Sequence, residues 1–160
     1  MEQPIFRDNA LSLQFLNVSF CRIARIDEIL LKCPNLRLLN ASNNLLDCST
    51  SNGHLPPLPL GLKDLLLSYN QISDISGLEF DCATNEIGQP SLQLLDVSYN
   101  KITHVDQIPS LDKSEDPYVQ YLCVEGNEAA VQIVKASKAK NFLTRIVKGS
   151  ELRKHSTFND

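Results

Sequence analysis

The sequence predicts an α/β solenoid, in which a short unit recurs along the chain and stacks on its own copies. The first observation is an eleven-residue pattern, L-x-x-L-x-L-x-x-N-x-L, which is clearest at residues 62–72 and 92–102. The second is the recurrence of this pattern at intervals of roughly 20–30 residues. The third is a content of 42% hydrophobic residues in a chain of 160, which suffices for one continuous core in a single domain.

Three further copies extend the pattern over most of the chain. Residues 36–46 match it with alanine in one apolar position, residues 13–23 carry Cys21 in place of the asparagine, and residues 119–129 match more weakly. The alternating leucines predict a short strand with two side chains in the core and the one between them on the opposite face. The asparagine predicts a turn in which its amide bonds backbone groups, so stacked copies predict a ladder of asparagines.

The pattern resembles that of leucine-rich repeat proteins. This resemblance implies a curved parallel β-sheet on a concave side, and short helices with irregular turns on a convex side. The phrase Cys33-Pro-Asn-Leu36 after a helix-forming stretch resembles the intracellular subclass, which includes phosphatase-1 regulators, tubulin-folding cofactors, acidic nuclear phosphoproteins and mRNA-export factors. We therefore expect one domain, residues 1–160, with the following parts: an N-terminal cap at about 1–12, five repeats over 13–129, a C-terminal helical cap over 130–149 and a flexible tail over 150–160.

The segments between and after the copies predict the remaining elements. Residues 26–33 form an amphipathic pattern that predicts a short helix ending before a proline. The longer linkers at 81–90 and 110–117 are predicted to be insertions on the convex side or the rim. Residues 128–137 predict a helix with Ala130, Val131 and Val134 on its apolar side, and residues 142–149 predict a last short strand.

The composition favours an intracellular protein in the cytoplasm or the nucleus. No run of about 18 apolar residues occurs, so no membrane span is expected. The first residues lack the basic and apolar stretches of a signal peptide, so secretion is not expected. The odd number and scattered placement of the cysteines predict reduced thiols. They are Cys21, Cys33, Cys48, Cys82 and Cys123.

The sequence carries no pattern that predicts catalysis, a cofactor or a metal site. His54, His104 and His155 lie in different segments, without a carboxylate or cysteine at a ligand-like or catalytic spacing. There is no C-x-x-C, no phosphate-binding glycine loop and no G-x-S-x-G. We therefore predict a protein that is not an enzyme.

The third, fifth, seventh and eighth positions of the pattern are predicted to face solvent on the concave side. Aromatic and aliphatic residues are frequent there, which is typical of a binding surface. Three acids also occur there and no lysine or arginine does, so a partner with basic residues is favoured. Tyr69 and Tyr99 have a structural interpretation as well, because they can stack on neighbouring strands. The predicted partner-binding face comprises Phe15, Asn17, Phe20, Leu38, Asn40, Asp64, Leu66, Tyr69, Leu94, Asp96, Tyr99, Tyr121 and Glu125.

Two functions are compatible with this face. The first is a monomeric protein-interaction module that grips a helix, a peptide or a small domain, and that serves as an adaptor, a regulatory subunit or a cytoskeletal or ciliary scaffold. The second is an RNA-binding module of the mRNA-export or spliceosomal type, in which aromatic residues stack on bases. Phosphates require positive charge, which only the C-terminal cap offers, through Lys135, Lys138 and Lys140. The sequence pI near 5.3 also favours protein binding over nucleic acid.

Overall fold

The computed structural model of the chain describes residues 10–47, 58–75, 92–104, 119–139 and 145–156. Within these residues the chain forms one parallel six-stranded sheet, with the strands side by side in chain order, and a few helices. The predicted α/β class is thus confirmed. The elements are β1 (Phe15–Asn17), α1 (Asp27–Lys32), β2 (Leu38–Asn40), β3 (Asp64–Leu66), β4 (Leu92–Asp96), β5 (Val119–Cys123), α2 (Ala130–Ala139), β6 (Arg145–Ile146) and a 3₁₀ helix (Gly149–Lys154).

The strands pair in the register that the repeated pattern predicts. Leu16 pairs with Leu39, Leu39 with Leu65, Leu65 with Leu95 and Leu95 with Leu122. The fourth position of each copy therefore forms one row across the sheet. Consequently every other position of the pattern is also aligned with its equivalent on the neighbouring strands.

One face of the sheet lies on the main apolar core. Leu65 and Leu67 are fully buried in this core, whereas Leu66, between them, belongs to a separate apolar cluster on the other face. This is the predicted alternation of a strand. The core is continuous from Ile26, just before α1, to Ile133 in α2. We call the opposite face of the sheet the outer face.

Both predicted helices are present, and each buries one side in the core. In α1, Ile29 and Leu30 are buried while Leu31 is exposed, and the helix ends before Pro34. In α2, the side turned to the core differs from the prediction. Ile133 is fully buried, but Val131 is 63% exposed, so its assignment to the apolar side of the helix was wrong.

Several predicted segments lie outside the described residues. These are residues 1–9 of the expected N-terminal cap and the linkers 81–90 and 110–117. The predicted last strand is present as β6, which pairs with β5 through Tyr121 beside Arg145 and Leu122 beside Ile146.

Candidate partner-binding face

A ladder of asparagine amides supports the turn that follows each strand. After β4, the Asn100 amide donates to the carbonyls of Leu67 at 2.9 Å and Val97 at 3.0 Å, and its oxygen accepts from the Ile72 N–H at 3.0 Å. Each rung thus bonds the backbone of its own unit and of the preceding one. The predicted ladder is confirmed at Asn44, Asn70, Asn100 and Asn127.

The residue just before each asparagine rung, and the equivalent residue before Cys21 in the first unit, adopts a left-handed backbone conformation. Phe20 has φ of 60°, Tyr69 has 56° and Tyr99 has 53°. Bulky residues adopt such φ values only when surrounding structure holds them there. The equivalent residues of the other two units are Asn43 (φ 56°) and Gly126 (φ 75°). The eighth position therefore points a side chain out of the sheet edge at the same place in each unit except the last, where Gly126 has none.

Tyr69 and Tyr99 form a stacked pair on this edge. Their ring centroids are 4.4 Å apart and the ring planes differ by 7°. The next unit makes room for the stack, since a Cβ on Gly126 would lie 2.4 Å from Cδ1 of Tyr99. The Tyr99 N–H also donates to the Glu125 carbonyl at 2.6 Å. The charge of Glu125 is the largest cause that raises the pKa of Tyr99 above its usual 10.0, and the electrostatic interaction with Tyr69 is the second.

The side chain at the fifth position caps the serine at the seventh. The Asn17 amide oxygen accepts from the Ser19 N–H at 3.0 Å and its hydroxyl at 2.7 Å. Asp96 accepts in the same way from the Ser98 N–H at 3.0 Å and its hydroxyl at 2.6 Å. These are local turns that asparagine and aspartate form readily. Part of the acidic and amide character of the predicted face is therefore structural.

The predicted face is only partly accessible. The prediction of solvent exposure is wrong for four of its residues, of which Leu94 and Asp64 are 0% exposed. The buried residues are Leu38, Asp64, Leu94 and Asp96; the half-buried ones are Asn40, Leu66 and Tyr121; the exposed ones are Phe15, Asn17, Phe20, Tyr69, Tyr99 and Glu125.

The chain's own C-terminal residues are the reason for much of this burial. We call residues 149–156 the C-terminal segment. Leu152 of this segment and Val147 just before it pack in a second apolar cluster with Leu94 and Cys123. Leu66 and Tyr121 complete the cluster. The outer face between β3 and β6 is therefore covered.

Polar and aromatic contacts also join the C-terminal segment to the outer face. The Ser156 hydroxyl donates to Oδ2 of Asp64 at 2.6 Å. The His155 ring stacks on Tyr121, with centroids 4.0 Å apart and planes at 21°. The Gly149 N–H donates to Oε2 of Glu125 at 3.1 Å. Residues 150–160 were expected to form a flexible polar tail, yet this segment contacts the outer face from β3 to β5.

The second apolar cluster contains a thiol with a perturbed pKa. Burial, together with the charge of Asp96, raises the pKa of Cys123 from 9.0 to about 11. Because the neutral thiol is the favoured form, Cys123 acts as an apolar side chain in this cluster.

Sequence reasoning missed three features of the site. The pattern ends before β6, so it did not place Arg145 beside Tyr121, where its side chain is exposed. Leu152 and Ser156 lie in a polar stretch in which Leu152 is the only aliphatic residue, so no apolar pattern indicated an element there. One signal was available, since Leu152, His155 and Ser156 have the spacing of one helical face.

The described residues contain no group of three or more His, Cys, Asp and Glu side chains placed to hold a metal ion. Among the same residues, no helix has the length and apolar character needed to cross a membrane. No family model matches the chain, and no curated protein matches it.

Proposed function

We propose that this chain is a leucine-rich repeat protein that acts as a non-catalytic protein-interaction module. The observation that carries the proposal is the row of exposed aromatic side chains at the edge of the outer face. Phe20 is 77% exposed, Tyr69 53% and Tyr99 41%. Exposed aromatic side chains on a rigid support are typical anchors of protein interfaces.

The rigidity of this row supports its role as a binding edge. Tyr69 and Tyr99 hold left-handed backbone conformations and donate backbone hydrogen bonds to the following unit. A side chain that is already ordered loses little entropy when a partner binds. Phe15 lies on β1 and is 53% exposed, so it extends the apolar surface toward the first unit.

An intracellular location belongs to the same proposal. The three cysteines within the described residues, Cys21, Cys33 and Cys123, are free thiols. Free thiols are the usual state in the cytosol and the nucleus.

The proposal is tested by affinity capture from a lysate, with the Tyr69→Ala/Tyr99→Ala double variant beside the wild type. We expect a nuclease-insensitive protein that binds the wild type and is lost from the variant. A matched control is Leu31→Ala/Leu60→Ala, which truncates two exposed apolar side chains away from the aromatic row. If the control variant still binds the partner and the tyrosine variant does not, the interface lies on the aromatic row.

Two results would contradict the proposal. A partner that binds the tyrosine variant as well as it binds the wild type would exclude the aromatic row as the binding surface. A signal that disappears on nuclease treatment and persists in the tyrosine variant would favour the RNA alternative. In that case, the exposed Lys135 and Lys138 of α2 and Arg145 of β6 become the candidate phosphate contacts.

A further inference from the structure

The C-terminal segment has the local structure of a preformed short helix. Gly149–Lys154 form the 3₁₀ helix, and the Glu151 carboxylate accepts from the Lys148 N–H at 3.2 Å. The N–H groups of His155 and Ser156 both donate to the Leu152 carbonyl, at 3.0 and 3.1 Å. The segment thus satisfies much of its own backbone and presents side chains to the sheet.

Its contacts with the outer face come from the last turn of the segment. Leu152 enters the second apolar cluster, His155 stacks on Tyr121, and Ser156 donates to Asp64. His155 and Ser156 follow the 3₁₀ helix, but their bonds to the Leu152 carbonyl continue the helical turn, so the side chains three and four positions after Leu152 are presented on its side. This is the geometry of a short helical turn laid on the sheet, not of an added strand.

The surface beneath the segment has the character of a binding site. Leu94 and Cys123 are fully buried, although both lie on the face opposite the main core. Without the C-terminal segment, these apolar side chains would lose the cover that Leu152 gives them. Such a patch is beside the aromatic row, since Glu125 contacts both Tyr99 and Gly149.

We infer that the outer face between β3 and β6 is a recognition site for a short helical segment of a partner protein. The partner segment carries an aliphatic side chain, then a planar ring three residues later and a hydrogen-bond donor at the next position. Residues 149–156 occupy the site in cis as an internal mimic until such a segment displaces them. The inference rests on the proposed function and adds to it the chemistry of the partner.

The charge of the site adds one more property of the partner. Asp64 and Asp96 are buried on the outer face, and Glu125 is exposed near the start of the segment. Two of these acids accept hydrogen bonds from the C-terminal segment, Asp64 from the Ser156 hydroxyl and Glu125 from the Gly149 N–H. Hydrogen-bond donors at these two places are therefore expected in the partner segment too.

Tethering explains why the cis segment fills the site in the isolated chain. A short tether gives its own segment an effective concentration of about 1 mM or more. A free segment of the same sequence competes poorly unless the cis segment is weakened. This difference provides a direct test on the intact chain of 160 residues.

The test uses Cys123 as a reporter of the covered site and Cys33 as a reporter of the main core. Both thiols are fully buried. In the Leu152→Asp variant, we expect iodoacetamide to modify Cys123 at least about tenfold faster than in the wild type, because local opening exposes it. Cys33 should remain protected, as measured by mass spectrometry of the peptides. The matched control is Ser150→Asp, which adds the same charge at an exposed position of the segment.

The recognition step is tested by adding the segment in trans. A peptide with the sequence of residues 149–156, at about 5 mM to exceed the effective concentration of a tether, should restore protection of Cys123 in the Leu152→Asp variant. The same peptide with the Leu152→Asp change should not. Wild-type peptide that leaves Cys123 exposed would overturn the inference.

Two further outcomes are decisive. If Cys123 stays protected in the Leu152→Asp variant, the segment does not cover the site, and the inference is wrong. If Cys33 is modified as well, the variant has unfolded, and the milder His155→Ala/Ser156→Ala variant takes its place with the same readout and the same peptides. None of these results depends on the lysate partner, so failure here is distinct from failure of the aromatic row in the capture experiment.

Discussion

The Asn70 side chain is hydrogen-bonded to several backbone groups at once. Its amide donates to the carbonyls of Ala41 and Leu67, each at 3.0 Å, and its oxygen accepts from the Leu46 N–H at 3.0 Å. All of these groups are buried. No water can replace the amide where the carbonyls and the N–H lie inside the stack, so the side chain is needed to satisfy them.

The Asn70→Ala variant should be destabilised by about 3 kcal/mol, because it leaves buried backbone groups without partners. The measurement is the free energy of unfolding from urea denaturation. Gln71→Ala is the control, since Gln71 is the next residue and is exposed. A loss in Asn70→Ala no larger than that in Gln71→Ala would mean that the ladder adds nothing to stability.

Gly126 is the position where the left-handed turn has no side chain. Its φ is 75°, and a Cβ there would clash with the Tyr99 ring. We expect Gly126→Ala to lower the free energy of unfolding by about 1–2 kcal/mol through the strained backbone and the displaced ring. Gly61→Ala is the matched control, because the nearest atom to a Cβ there is 3.9 Å away. Equal unfolding free energies for both variants would contradict this explanation.

The strands of the sheet have three to five residues in β1–β5, and they depend on the neighbouring units for stability. Each unit continues the backbone bonding past its strand, as in the Leu67 N–H that donates to the Asp96 carbonyl at 2.7 Å. On the outer face, the stabilising element is not a strand. It is the C-terminal segment, whose apolar anchor lies beside Cys123.

The raised pKa of Cys123 predicts a pH dependence of stability. The thiol titrates at 9.0 in the unfolded chain and at about 11 in the fold. Its contribution is therefore complete below pH 9 and is lost as the pH rises toward about 11, because the unfolded chain gives up this proton first.

The measurement is the difference in unfolding free energy between the wild type and Cys123→Ala, followed from pH 8 to 11. Taking a difference removes the titration of tyrosines that both proteins share. We expect the advantage of the wild type to shrink across this range. A difference that stays constant over this pH range would show that burial does not raise the pKa of Cys123 in the folded protein.

The stability of the whole molecule depends on one core to which every unit contributes. The main cluster extends from Ile26 to Ile133 without interruption. In such stacks, each unit is stabilised by its neighbours, so damage in a central unit removes support on both sides.

Leu67→Asp tests this dependence. Leu67 is 0% exposed in the central unit, and an aspartate there would bury a charge in an apolar stack. The expected loss exceeds about 4 kcal/mol, a large part of the stability of an ordinary domain. Circular dichroism should show loss of folded structure, with Cys33 modified as rapidly as Cys21. Leu60→Asp, at a position 69% exposed, should keep the native spectrum. A folded Leu67→Asp protein would be incompatible with the shared core.

Much of the candidate site followed from local pattern, and the rest did not. The asparagine rungs, the register and the stacked Tyr69 and Tyr99 could be predicted because equivalent positions of repeated units must align. The left-handed φ of these tyrosines could not be predicted from residue type. Glycine is the residue that favours such φ values, and it occupies the equivalent position only at 126. The burial of Asp64 and Leu94 was missed because it comes from residues far along the chain.

The repeated leucines and asparagines were sufficient to specify the sheet, its strand order and the side of each strand that enters the core. These properties arise from a short period that each unit satisfies with its immediate neighbours. The position of the C-terminal segment is different, because the Ser156–Asp64 hydrogen bond joins residues 92 positions apart. The place of that segment depends on how many units are stacked and on which apolar side chains the outer face leaves uncovered. Hence the accessible part of the candidate site emerged only when the folded units and the C-terminal segment came together in three dimensions.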